Sequence, residues 1–281
     1  MLALPGPLVT VAWLAERLRT PGLVVLDASL PAHRGAGARV PGARRFDLDG
    51  PFSDPGSPLP HTMPGPERFT RELRALGVDD ADTVVVYDGA GVYSSPRARW
   101  MLRAVGFDRA AVLDGGLPAW TRAGQPVEPD LPAAAPPPPG DFTARPRAGL
   151  LVGSATVLAA LADPDSAVFD ARTRERFAGT AAEPRPGLRA GHMPGAVNLP
   201  FDATRRGGRD AGRMRPAGEL RALFAESAGQ RQRLVMSCGS GVTACVLALA
   251  AELAGYSQVS VYDGSWSEWG LPSHLPVTDT G

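Results

Sequence analysis

The chain contains no lysine: all 29 of its Lys-plus-Arg residues are arginine. No side-chain amine is therefore available for Schiff-base chemistry. Only two cysteines occur, Cys238 and Cys245, so a disulfide framework is excluded and nothing asks for an oxidising compartment. Net charge is absent too, with 29 basic and 29 acidic residues, which argues against a nucleic-acid or anionic-membrane partner. No apolar run approaches the ~20 residues that span a bilayer. The opening segment, MLALPGPLVTVAW, has neither a basic region nor a clean apolar stretch of the signal-peptide kind. A soluble cytoplasmic protein is the expectation. The four histidines show no metal-site spacing, so neither a metal nor a cofactor is expected.

What the chain does have is length and a repeat. Its 281 residues, 44% hydrophobic and 21% charged, suffice for two ordinary domains with sizeable cores. In the first half, TVVVYDGAGVYSSPRARWMLRAVGF (83–107) is followed by AAVLDGGLPAW; in the second, RLVMSCGSGVTACVLALAAELAGY (233–256) is followed by VSVYDGSWSEW. Asp88 aligns with Cys238, Gly91 with Gly241, Val92 with Val242, Asp114 with Asp263 and Trp120 with Trp269. The earlier stretches VVLDAS, around Asp27, and AVFDAR, around Asp170, pair as well. Self-similarity at a fixed period marks a duplicated structural unit. Between the halves lies LPAAAPPPPGDFTARP (131–146). Its consecutive prolines cannot enter a helix or central strand and predict an extended, semi-rigid spacer. The expected organisation is a domain over 1–130, a linker over 131–146 and a second domain over 147–281.

Each half alternates short apolar strands with amphipathic helices. Val24–Asp27, Val84–Tyr87 and Ala111–Leu113 read as strands; Val11–Leu18, Pro66–Leu76 and Pro96–Val105 read as helices. In the second half Pro216 opens a helix and Gly255 closes another, as first-turn proline and C-terminal glycine do. The fold class is α/β, each domain a parallel sheet flanked by helices.

The chemistry concentrates at LVMSCGSGVTACVLALAAEL. Leu234–Ser237 reads as a buried strand, and a helix is expected from Val242 or Thr243. Cys238 then stands at the carboxyl end of a parallel strand, where open α/β sheets place ligands. Gly239 and Gly241 permit backbone angles closed to other residues. Successive N–H groups can turn inward and, with the positive helix end, stabilise an anion at the centre. Cys245 falls within the following helix among Val, Leu and Ala and reads as a core residue.

CGSGVTA resembles the active-site loop of the rhodanese superfamily, in particular of its tandem-domain 3-mercaptopyruvate sulfurtransferases. VSVYDGSWSEW resembles the family's C-terminal signature and GHMPGAVNLPF (191–201) its N-terminal one. RFAGTAAEPRPG (176–187) resembles the stretch that carries two substrate arginines. The similarity spans both halves. It implies two rhodanese-like domains, the first without catalysis because Asp88 replaces the cysteine. It implies that Cys238 and Ser240 are catalytic, that Arg176 and Arg185 clamp the donor's carboxylate and keto oxygen, and that Gly239, Gly241, Val242 and Thr243 form the sulfur cradle. The implied reaction takes sulfur from 3-mercaptopyruvate onto Cys238 as a persulfide, releases pyruvate, and passes the sulfur to a thiol such as thioredoxin or a small thiol, or to cyanide.

The resemblance further implies that, as in some members of this branch, the loop serine works with a histidine and an aspartate from the N-terminal domain. Where the first half should read His-x-Pro-Gly-Ala, this chain has Arg39-Val40-Pro41-Gly42-Ala43. The expectation is a serine acting alone or with electrostatic help from Arg39. His192, in the GHMPG turn, reads as structural; His33 has no assignable place; His61 and His274 lie in proline-rich loop and carry no expected role. Three rivals are weaker. A Cys-x5-Arg phosphatase needs an arginine where Ala244 stands, and lacks its transition-state clamp without it. A non-catalytic sulfur-binding module explains the first half but not Cys238. A thiosulfate:cyanide sulfurtransferase would favour basic residues where Gly239 and Ser240 stand.

Overall fold

The computed structural model describes residues 2–34, 37–130 and 136–278. The chain divides into two compact units that do not follow the midpoint of the sequence. The first comprises Met1–Pro55, Met63–Ala148 and Arg205–Met214; the second comprises Gly56–Thr62, Gly149–Thr204 and Arg215–Gly281. Each half of the sequence thus gives one short segment to the other unit.

In the first unit the chain runs through β1 (Leu8–Val9), α1 (Val11–Arg17), β2 (Leu23–Asp27), β3 (Ala38–Arg39), β4 (Arg44–Arg45), α2 (Pro66–Ala75), β5 (Thr83–Tyr87), α3 (Ser95–Ala104), β6 (Ala110–Leu113), α4 (Gly116–Arg122) and β7 (Glu128–Pro129). The second repeats the pattern with β8 (Leu151–Val152), α5 (Ser154–Ala162), β9 (Ser166–Asp170), α6 (Arg174–Ala178), β10 (Val197–Asn198), α7 (Ala217–Ala228), β11 (Arg233–Ser237), α8 (Ala244–Ala254), β12 (Gln258–Tyr262) and α9 (Ser265–Trp269). Sheet orders are β1-β6-β5-β2-β4 and β8-β12-β11-β9-β10. All pairings within these two sheets are parallel, and the orders are identical once the repeat is superposed. The duplication read from the residues is a duplication of topology.

Parallel strands covered on both faces read as continuous apolar runs. In β2 and β5, Val24, Leu26, Val84 and Val86 join Phe46, Phe52, Phe69 and Phe142 on one side, while Val25, Val85 and Tyr87 join Leu14, Leu113 and Trp120 on the other. In the second unit Val168 and Val235 pack with Val157, Tyr262, Trp266 and Trp269. The helix after each signature loop is deeply buried: Ala244 to Ala251 of α8 are buried without interruption. That packing anchors the loop preceding it. No helix among the described residues is long and apolar enough to cross a membrane.

Two expectations need correction. Helix α8 begins at Ala244, with Thr243 as its N-cap, because Gly241 and Val242 are used to complete the turn. The proline-rich segment is not a spacer over its described part. Its residues 136–146 belong to the first unit, Phe142 is buried, and Gly140, Phe142 and Arg145 donate N–H bonds to Arg74, Val78 and Val105 carbonyls. Burial of one phenylalanine and three backbone bonds hold the strap down. The remainder of the segment, 131–135, lies outside the described residues.

Candidate active site

Strand β11 delivers Cys238 to the carboxyl end of the second sheet, 2% exposed. The turn that follows depends on Gly241, whose φ of +77° is open to glycine at no steric cost. Helix α9 grips the loop from outside. Trp266 N donates to the Cys238 carbonyl at 2.9 Å, and the Ser267 N–H and Oγ–H donate to the Gly239 carbonyl at 2.9 and 2.7 Å. Those bonds tie the Cys238 and Gly239 carbonyls to α9. Ser265, itself at φ +48°, accepts the Cys238 N–H at 3.1 Å and donates to the Tyr262 carbonyl at 2.8 Å.

The first unit shows what such a loop does to an anion. Asp88 occupies the position of Cys238 and is fully buried. Its carboxylate accepts the N–H groups of Ala90, Tyr93, Ser94 and Ser95 at 2.8 to 3.0 Å and the Ser95 hydroxyl at 2.6 Å. Burial pushes the Asp88 carboxyl above its ordinary range, and these donors oppose that shift. The outer grip is the same as well: Leu117 N donates to the Asp88 carbonyl at 3.0 Å, Gly91 has φ +103°, and Gly116, with φ +54°, takes the place of Ser265. The second unit's loop has the same positive-φ glycine and the same outer grip, with Ser240, Thr243 and Ala244 standing where Ala90, Tyr93 and Ser94 stand around Asp88. A set of donors like the one around Asp88 is an anion cradle that needs no reorganisation when charge develops.

The structure brings Arg176 and Arg185 to this loop. A Cβ built on Gly239 would lie 3.1 Å from Arg176 Nη2 and 3.9 Å from Arg185 Nη1. Gly239 is therefore a place where the backbone must stay bare for guanidinium groups to approach. Val242 is buried, Thr243 stands at the N-cap position of α8 without a side-chain cap bond, and Cys245 is buried with its thiol donating to the Gly241 carbonyl at 3.2 Å. Arg176 is held by Glu183, from its Nε at 3.1 Å and Nη2 at 2.6 Å.

Ser240 is 7% exposed, and its Oγ lies 2.9 Å from Nδ1 of His61. The histidine missing from the Arg39 position is thus supplied by His61, to which the sequence assigned no role. Arg39 is elsewhere, its Nε donating to Glu128 at 2.7 Å across the antiparallel β3–β7 pair of the first unit. His61 reaches the second unit because residues 56–62 belong to it. Its backbone adopts φ +60°, in the left-handed region, and the residue is only 8% exposed. Polar residues tolerate that conformation better than branched ones. The only local hint was a histidine in a Pro-Gly-rich stretch too long for a simple connection; such loops are where binding groups concentrate. His192 has the structural role expected of it: its ring stacks on Phe177 and its Nδ1 meets the Phe177 carbonyl at 2.8 Å.

Comparison with known proteins agrees with this geometry. The model of the Rhodanese-like domain matches twice, over residues 10–123 and 154–271. The 3-mercaptopyruvate sulfurtransferase of Escherichia coli K12 is 38% identical over 275 residues, covering 94% of this chain and 95% of the relative. The human 3-mercaptopyruvate sulfurtransferase is 40% identical, covering 93% and 91%. The chicken thiosulfate sulfurtransferase is 38% identical, covering 99% and 98%. Among solved structures, SseA from Escherichia coli superposes with a TM-score of 0.81 at 36% identity, over 93% of this chain and 99% of that one. With the same domain matched in each half and the same sheet order in each unit, the chain belongs to the rhodanese family.

Proposed function

We propose that the chain is a sulfurtransferase that moves sulfur from 3-mercaptopyruvate to a thiol or cyanide through a persulfide on Cys238. The observation that carries this reading is one cluster within the second unit: a buried cysteine at a strand end before a glycine turn, two guanidinium groups at the adjoining Gly239, and Ser240 of the same loop paired with His61. The names of the similar Escherichia coli and human proteins support the donor.

Arg176 and Arg185 bind the donor's carboxylate and keto oxygen, a task suited to planar forks of N–H donors. The Cys238 thiolate attacks the donor sulfur. A Cys238 S–S bond forms, the donor C–S bond breaks, and its electron pair moves onto the carbon as the enolate of pyruvate. The donor thiol has one proton to lose and the enolate has one to gain. Ser240, hydrogen-bonded to His61, can accept the first and return it to carbon, so that persulfide anion and pyruvate are formed with no external proton. This requires Nδ1 of His61 to accept from the Ser240 hydroxyl in the resting site. The loop's N–H groups stabilise the terminal sulfur of the persulfide, as their counterparts in the first unit favour the Asp88 carboxylate against the cost of its burial. A thiol such as thioredoxin or a small thiol, or cyanide, then attacks that terminal sulfur and releases the Cys238 thiolate.

A second donor has a specific observation in its favour, because the chicken relative is named for thiosulfate. The cradle carries no cation of its own, since Gly239 and Ser240 follow the cysteine. The proton relay is idle with thiosulfate, whose sulfite leaves already charged. A preference for mercaptopyruvate of at least ~10-fold in kcat/KM is expected, about 1.4 kcal/mol of transition-state binding. Steady-state kinetics with both donors side by side, with the intact mass recorded after donor alone, tests both parts. Absence of a persulfide would end the proposal; equal use of both donors would end only the donor assignment.

A further inference from the structure

Glu183 stands between the two donor-binding arginines in sequence, and its side chain is 3% exposed. Its carboxylate takes the side-on edge of Arg176, from Nε at 3.1 Å and Nη2 at 2.6 Å, and also accepts Nη1 of Arg172 at 2.8 Å. Arg172 is fully buried. It is fixed in turn by Asp170, which accepts its Nε at 2.9 Å and Nη2 at 2.6 Å, by the Gly191 carbonyl at 2.8 Å, and by the Trp266 ring, 4.0 Å below the guanidinium carbon. The chain Asp170–Arg172–Glu183–Arg176 runs from strand β9 to the edge of the Cys238 loop. It contains two carboxylates and two guanidinium groups and is neutral as a whole.

Two consequences follow for Arg176. With Nε engaged, only its terminal edge is left for a ligand, and it is Nη2 and Nη1 that lie nearest Gly239. Its charge is already balanced by Glu183. Arg185, the other guanidinium at Gly239, has no carboxylate partner among the described residues. The two arginines with their carboxylate partners therefore present two forks of hydrogen-bond donors but only one unbalanced positive charge.

We infer that Glu183 is a positioning residue that sets donor choice: by neutralising Arg176 while fixing its orientation, it matches the site to a monoanionic 2-oxo acid and against a dianion such as thiosulfate. A monoanion satisfies the single excess charge, and its carboxylate and keto oxygens use both forks. A dianion leaves one negative charge uncompensated beside two half-buried arginines, a specificity achieved by withholding charge from the wrong ligand. This inference rests on the sulfur-transfer reading of the same site.

The test is Glu183→Gln, which keeps an acceptor oxygen for Arg176 but removes the charge. The ratio of kcat/KM for thiosulfate to that for 3-mercaptopyruvate is expected to rise at least ~10-fold, mainly through a lower KM for thiosulfate, and the gain should shrink as salt is added. Glu183→Asp, which keeps the charge with a shorter reach, should slow both donors and leave the ratio within about threefold of the parent. A structural role alone would depress both donors equally in both variants, and that outcome overturns the inference. Should Glu183→Gln fail to fold, the parent protein still decides: pyruvate should inhibit at least ~10-fold more strongly than sulfate, and equal inhibition overturns the inference. If the parent forms no Cys238 persulfide with either donor, the sulfur-transfer reading itself falls, which is a different result from an unchanged donor ratio.

Discussion

Replacing Asp88 with alanine tests the cradle where no catalysis complicates the readout. Four backbone N–H groups and the Ser95 hydroxyl now end on one fully buried carboxylate. Each buried donor left without an acceptor costs about 1–3 kcal/mol. Two effects offset part of that sum. The variant no longer has to desolvate a carboxylate, the same burial that pushes the Asp88 pKa up. One or two waters can also enter the vacated space and accept some of the bonds. A net loss of about 3 kcal/mol remains, which for a unit of this size lowers the melting temperature by roughly 10 °C. Asp88→Asn should fall between parent and alanine, since its amide oxygen can keep the donors on one side while its NH2 faces a donor on the other. The assay is thermal unfolding by circular dichroism, with sulfur transfer measured well below the transition. Turnover at Cys238 is expected to stay within about twofold, because the reacting groups belong to the second unit. A melting temperature unchanged to within ~2 °C would refute the reasoning, for it would mean that the converging N–H groups hold no charge worth stabilising.

At the cysteines, Cys238→Ser should abolish both turnover and the gain of one sulfur atom in intact mass, whereas Cys245→Ser should keep most of both; an active Cys238 variant would sink the persulfide. His61→Ala should lower mercaptopyruvate turnover by about 10²- to 10⁴-fold, the range of lost acid–base catalysis. Ser240→Ala should do the same and the double variant little more, since the two act as a unit; thiosulfate turnover should be affected far less, and full additivity would count against a relay. Arg185→Ala should raise KM for mercaptopyruvate roughly 10- to 100-fold, as loss of a charge-assisted contact of ~1.5–3 kcal/mol does, and unchanged kinetics would place the carboxylate elsewhere.

Much of this protein was legible in its residues. The repeat, the alternation of strands and helices, and the Gly-x-Gly turn after Ser237 depend on neighbours within a few positions. Local backbone chemistry determines them wherever they are read. They suffice to specify two parallel α/β units and to put Cys238 in a cradle. The arginines of the RFAGTAAEPRPG stretch were legible only through family resemblance, since nothing in their spacing says that they meet Gly239. What tertiary structure alone decided is long-range. Residues 56–62 leave the first sequence half for the second unit, and so His61 reaches Ser240 although 179 positions separate them. Residues 205–214 go the other way, where the Met214 N–H meets Asp114 at 2.9 Å. The proline-rich segment looked like a spacer because its backbone is stiff, yet one buried phenylalanine and a few backbone bonds strap it to the first unit. Glu183 carried no expected role in the sequence; only the fold shows that Arg176 takes both of its oxygens and buried Arg172 shares one of them. Periodicity and turn chemistry report what a segment prefers by itself. Which distant segment it meets is settled by how apolar faces and buried charges are jointly satisfied, and no single stretch of sequence contains that sum.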